Sequence, residues 1–193
     1  MTGGGSTAGA GSPWRAYQRP QDHLLDDAGR AELLAAQLEC VVAWAAPAGW
    51  PVAVVHWFLW REDRFWVTAA ADRPRVEALR QRPQSSVVVS GAGTLPGSPR
   101  SVSARTLATV HDDGRLLASW FAAELAAKAH GSGNPAAARF EQMLRETSRV
   151  VLELAPVAWT SYDAGRLQAT LQRQRADQPP GAPPDRPTTS RSQ

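Results

Sequence analysis

Three apolar runs follow one another with almost no chain between them, and that spacing constrains the fold more than any other feature. "CVVAWAA" (40–46), "VAVVHWFLW" (52–60) and "FWVTA" (65–69) are separated only by "PAGWP" and "REDR". Links this short join antiparallel neighbours, because a parallel return needs a crossover of a dozen residues or more. The runs therefore predict an antiparallel meander. The middle run is apolar at successive positions, which predicts burial on both faces.

Three further strands are legible downstream. "SSVVVSG" (85–91) is Val-rich, and "AGTLPGSP" (92–99) after it reads as a Gly/Pro loop. "RSVSARTLATV" (100–110) alternates as a half-exposed strand does, and "RVVLELAPVAWTSYD" (149–163) is the last. Pro156 cannot donate to a ladder, so that strand is predicted to lie at an edge or to bulge there. Helices are predicted over 27–39, 116–130 and 135–147, the last opened by Asn134 as cap and Pro135 at its first position. No strand–helix alternation spans the chain, which argues against a doubly wound sheet. The predicted class is α+β, mainly β with helices: a six-stranded antiparallel barrel with helices packed outside. Its core is predicted from Val42, Val54, Phe58, Val67, Val88, Val102 and Val151.

Hydrophobic residues are 43% of the 193, enough for one domain with one core. Residues 1–13 and the Pro-rich 169–193 lack bulky apolar groups and are predicted to be disordered tails around a folded domain at 14–168. The N-terminus has neither a basic start nor an apolar run, and no segment reaches the length of a membrane span. A cytoplasmic protein without a membrane partner is expected. The net charge of +3 is spread without blocks of like charge, so no nucleic-acid partner is expected. The one cysteine, Cys40, reads as a small core residue, and His23, His56, His111 and His130 lack ligand spacing, so no metal is expected. No Ser-His-Asp or paired-carboxylate arrangement is present.

"FWVTAAADRPRVEALRQRP" (65–83) holds the residues that point to chemistry. A helix is predicted after the strand, with Asp72 as cap and Pro74 in the first turn. Arg73 and Arg75 then fall at the positive end of the helix dipole, where cations are disfavoured. An anion there would remove the conflict, since helix starts and guanidinium forks both match phosphate. Thr68 would add a hydroxyl, and the alanines from Ala69 to Ala71 would permit close approach to the backbone.

The order of these pieces resembles the flavin-binding split-barrel family that includes pyridoxamine 5′-phosphate oxidase. The matching pieces are Gly49 and Pro51 before a strand, His56 to Trp60, Arg64 to Thr68, the basic pair, Leu79 to Pro83 and Val87 to Val89. The ending Ser161, Tyr162, Asp163 also matches, so the resemblance covers about residues 15–168. It implies a six-stranded FMN-binding split barrel and a homodimer acting on a small-molecule substrate, with FMN at the subunit interface. Arg73 and Arg75 correspond to its phosphate contacts, and Thr68 and Ala69 to the strand end beside the ribityl phosphate. Val55, His56 and Trp57 correspond to the strand passing the isoalloxazine ring, and Ser90 to a contact across the cleft. His56 is the candidate proton donor. Three departures stand out: Pro74 within the basic pair, Arg105–Thr106 where the family has a glycine, and no histidine after His130. The last removes the Arg-x-His element that holds pyridoxamine phosphate, which disfavours vitamin B6 oxidation. The resemblance implies an FMN-dependent oxidoreductase. A reductase using the deazaflavin coenzyme F-420, or a non-catalytic flavin or haem binder, is the alternative.

Overall fold

A computed structural model describes residues 19–92 and 99–176. Six strands close one barrel: β1 (Glu39–Ala45), β2 (Pro51–Arg61), β3 (Arg64–Ala70), β4 (Gln84–Ser90), β5 (Arg100–His111) and β6 (Arg149–Asp163). They run β1-β2-β3-β6-β5-β4 around it, every neighbouring pair antiparallel. The helices are α1 (Asp27–Ala36), α2 (Pro74–Gln81), α3 (Ala122–His130), α4 (Pro135–Glu146) and α5 (Ala164–Ala176). A π-helical turn, Leu117–Phe121, leads into α3.

The meander is joined as its short links require. Glu62 and Asp63 alone connect β2 to β3, both at positive φ (53° and 55°), the geometry whose twist matches that of a two-residue hairpin. The barrel interior takes alternate residues, among them Val42, Phe58, Phe65, Val67, Val87, Val89, Val102, Leu152 and Leu154. A second cluster lies outside, where Phe121, Leu125 and Leu144 pack on Leu59, Trp66 and Val151. Both faces of β2 and β6 are thus buried near these helices, which explains their unbroken apolar runs. Lys128, the chain's one lysine, ties α3 to the barrel. Its ammonium donates to the carbonyls of Phe58 (3.1 Å) and Leu34 (3.4 Å) and lies 4.2 Å from the Phe58 ring centroid.

Four expectations need correction. Val88 is 38% exposed, while its neighbours Val87 and Val89 are fully buried. Three consecutive valines carry no parity signal, and the register to β1 and β5 decides which face each takes. Val151 is buried, but against the outer helices, and Val54 is only half-buried. Residues 169–176, assigned to the tail, belong to helix α5, which anchors through the buried Leu167 and is otherwise mostly polar, so it shows no amphipathic stripe. The expected tails 1–13 and 177–193 lie outside the described residues. Pro156 does mark a bulge: Arg105 faces Ala158 and Thr106 faces Pro156, leaving Val157 unpaired between them.

Phe58 joins the barrel core, the Phe65 ring (5.7 Å) and the Lys128 ammonium. Phe58→Ala is expected to cost about 3–5 kcal/mol in equilibrium denaturation. A two-state loss below about 1 kcal/mol would contradict this packing.

Candidate functional site

The turn from β3 into α2 and the start of β6 meet at one end of the barrel. Ala70, the last residue of β3, pairs with Arg149, the first of β6, and the Ala71 amide donates to the Ser148 carbonyl at 3.1 Å. Thr68 sits just inside this corner. Its hydroxyl donates to the Val150 carbonyl (2.8 Å) and accepts from Arg149 Nε (3.3 Å). The cap of α2 differs from expectation. Arg73, not Asp72, is the capping residue, with extended backbone (φ −71°, ψ 136°) and no side-chain cap bond. Pro74 follows at the first helical position, where its fixed φ suits a helix start and its missing N–H costs nothing. Arg75 comes one residue later, next to Arg149.

Arginines outnumber carboxylates in the corner, where Asp72 is exposed in the turn and pairs with none of them among the described residues. Arg75 and Arg149 are half-buried, and burial depresses the pKa of each guanidinium, with neighbouring arginines adding to the effect. Among the described residues, Arg73, Arg75 and Arg149 form no ion pair. His56 from β2 enters the same cluster at 8% exposure. Its pKa is pushed down to about 4, first by burial and then by Arg75; a backbone hydrogen bond with Thr68 opposes this, and Arg149 adds to it. Two buried polar atoms here have no partner, His56 Nε2 and Arg75 Nε. Buried donors and acceptors are rarely left unmade. A phosphate fits this donor set: it would accept from guanidiniums that no carboxylate pairs with among the described residues.

The remaining sequence candidates divide between two other places. Val55, Trp57 and Ser90 line a groove of about 490 Å³ on the outer face of β1, β2 and β4, with Val41 and Val88. His56 does not join them, because strand alternation gives it the inward parity of Val54, Phe58 and Trp60. Trp57 is fixed by edge-on contacts with Phe140 (5.3 Å) and His130 (5.8 Å), and its Nε1 donates to Glu39 at 3.3 Å. Ala69 is in the barrel core at 1% exposure. Sequence reasoning missed Arg149. Only the closure of β6 onto β3 brings it to the corner, and an arginine opening a distant strand carries no local signal.

This split-barrel architecture, which the order of the motifs implied, is shared with several solved structures, one of them a FAD-binding protein. Neither a family model nor a curated protein matches the chain. Among solved structures, a conserved hypothetical protein of Mycobacterium tuberculosis, Rv2991, shares the fold at TM-score 0.66 and 18% identity, over 76% of this chain and 90% of its own. A FAD-binding protein of Mesorhizobium loti matches at TM-score 0.53 and 16% identity, over 71% and 94%. An F-420 reductase matches at TM-score 0.51 and 21% identity, over 67% and 94%. Among the described residues no helix is long and apolar enough to cross a membrane, and no cluster of three metal-ligating side chains occurs.

The depressed His56 pKa makes a signed prediction. From pH 6.5 down to about 4 the unfolded chain takes up a proton that the folded chain excludes. Stability of the ligand-free protein is therefore expected to fall with pH across that window, by up to about 1.4 kcal/mol per pH unit from this group. Denaturant unfolding of wild type and His56→Gln at several pH values isolates the contribution. Parallel profiles would contradict it.

Proposed function

We propose that the chain is an FMN-dependent oxidoreductase acting on a small molecule as a homodimer. The observation that carries this reading is the buried, unpaired guanidinium Nε of Arg75 in a corner with Arg149, Thr68 and Arg73 and no acidic partner. In this reading Arg75 and Arg149 hold the cofactor phosphate, and Arg73 adds charge from the rim. Thr68 keeps Arg149 in place through its hydroxyl. The outer groove would receive the ring system, with Val55 and Val41 as an apolar wall, Trp57 as a fixed edge and Ser90 offering a hydroxyl. Bound flavin would supply hydride chemistry, which needs no protein nucleophile. The chain's part is to bind, orient and exclude water. His56, neutral at pH 7 in the ligand-free protein, lies on the inward parity of β2 and not on the outer groove, so proton delivery to substrate is not assigned to it.

The second subunit follows from the same face. Val41 pairs across to Val55 on β2 and to Val88 on β4, so three valines form one row on the outside of the barrel. Val55 is 56% exposed, and the helices pack on β2 further along, at Leu59. A second copy laid on this row would bury it and close the groove over the ring system. A dimer mass by light scattering is expected; a monomer that retains stoichiometric flavin would contradict this face as the interface.

The deazaflavin coenzyme F-420 is the second reading, favoured by the fold shared with an F-420 reductase. It also carries phosphate and would use the same corner. The absorption spectrum of the purified, cofactor-loaded protein separates the two.

Arg73→Gln with Arg75→Gln is expected to weaken FMN binding by about 2–4 kcal/mol, taking charged hydrogen bonds with incomplete additivity. Arg149→Gln alone is expected to cost about 1.5–3 kcal/mol. Riboflavin, which lacks the phosphate, is expected to bind all three proteins alike. Fluorescence titration of both ligands into the apo-proteins reads this directly, and equal FMN affinities would make these arginines ordinary surface charges.

A further inference from the structure

His56 occupies a position that the chemistry of the ring system does not explain. It is 8% exposed, on the inward parity of β2, and its Nε2 is buried without a partner. The charged and titratable groups around it come from four elements. Arg75 approaches from α2, Arg149 from β6, and β3 supplies the Thr68 backbone, while Arg73 acts on the two arginines and not on the imidazole. On β1 its register partner is Cys40, whose thiol burial pushes up to about 12, so it stays neutral. Glu39 and Lys128 act on that thiol and do not appear among the influences on the imidazole. No carboxylate does either.

The Thr68 backbone favours the protonated ring. In the free protein the arginines and burial prevail, so the ring is neutral and Nε2 carries a lone pair. A lone pair can face a guanidinium but not an oxyanion. An anion seated on Arg75 and Arg149 reverses the local field. The repulsion that kept the proton away is then cancelled, and Nε2 becomes a useful donor.

Building on the reading of this corner as an anion site, we propose that His56 is a proton-coupled ligand of the bound phosphate: seating the oxyanion on Arg75 and Arg149 draws one proton from solvent onto the imidazole, and Nε2–H donates to the anion. No bond to the ligand is made or broken. The consequence is specificity. A neutral group in the same corner cannot draw the proton, so it leaves Nε2 unprotonated. Affinity for the anion rises as pH falls, because the bound state holds one more proton than the free state.

The test uses the full-length apo-protein and sodium sulfate, whose charge is constant from about pH 5.5 to 7.5, so that only protein groups titrate. Calorimetry in two buffers of different ionisation enthalpy counts protons taken up on binding. Wild type is expected to take up as much as one proton per sulfate, with Kd rising by up to about tenfold per pH unit within that range. His56→Gln, checked for its fold by circular dichroism, is expected to bind sulfate with no proton uptake and a flat pH profile. NMR of the wild-type imidazole needs no variant, and sulfate is expected to move its ring signals to the protonated position. Sulfate binding without proton uptake, with the imidazole unchanged, would overturn the role of His56 and leave the anion site standing. Failure of wild type to bind sulfate at any pH in the range would overturn both.

Discussion

Closure of β6 onto β3 is the pairing on which the rest of this molecule depends. It turns an antiparallel meander into a barrel, and its register sets which side chains of β6 enter the interior. Leu152 and Leu154 go in, while Val151 goes out to meet the helices. The same register places Arg149 opposite Ala70, beside Thr68 and the start of α2. A slip of one residue would exchange the two faces, turning Val151 and Glu153 inward and taking Arg149 from Thr68. Core packing and the positive corner are therefore consequences of one ladder.

The corner stores an electrostatic conflict that packing overrides. Guanidiniums are placed at a helix start, partly out of water, and next to one another, each of which disfavours them. What holds them is apolar: Val76 and Leu79 seat α2 on the barrel core, and Val150 and Leu152 seat β6 within it. Burial of these side chains contributes about 1.5–3 kcal/mol each, enough to outweigh dipole penalties of a few tenths to about 1 kcal/mol. A site prepared in this way binds an anion with little rearrangement, because the cost of assembling the charges has been met in folding.

The elements were legible in the sequence because their signals are local. Short links fixed the antiparallel order of β1 to β3, and Pro156 marked a bulge. What was not legible depends on which face a residue takes or on contacts between distant segments. The parity of Val88 could not be read from a run of valines. The grouping of Val55, His56 and Trp57 as one ring contact ignored the alternation that sends His56 inward. Arg73 and Arg75 stood out because a helix start makes them anomalous, whereas Arg149 at a strand start is unremarkable until the barrel closes. Helix α5 was missed because one leucine, Leu167, does the docking.

The account rests on an anion completing the corner of Arg75, Arg149 and His56. The most direct measurement is a crystal structure of the apo-protein grown in sulfate. The account predicts a sulfate within hydrogen-bond reach of the Arg75 and Arg149 guanidiniums and of His56 Nε2. A corner with no anion, or with those arginines paired to carboxylates or turned out to solvent, would contradict it.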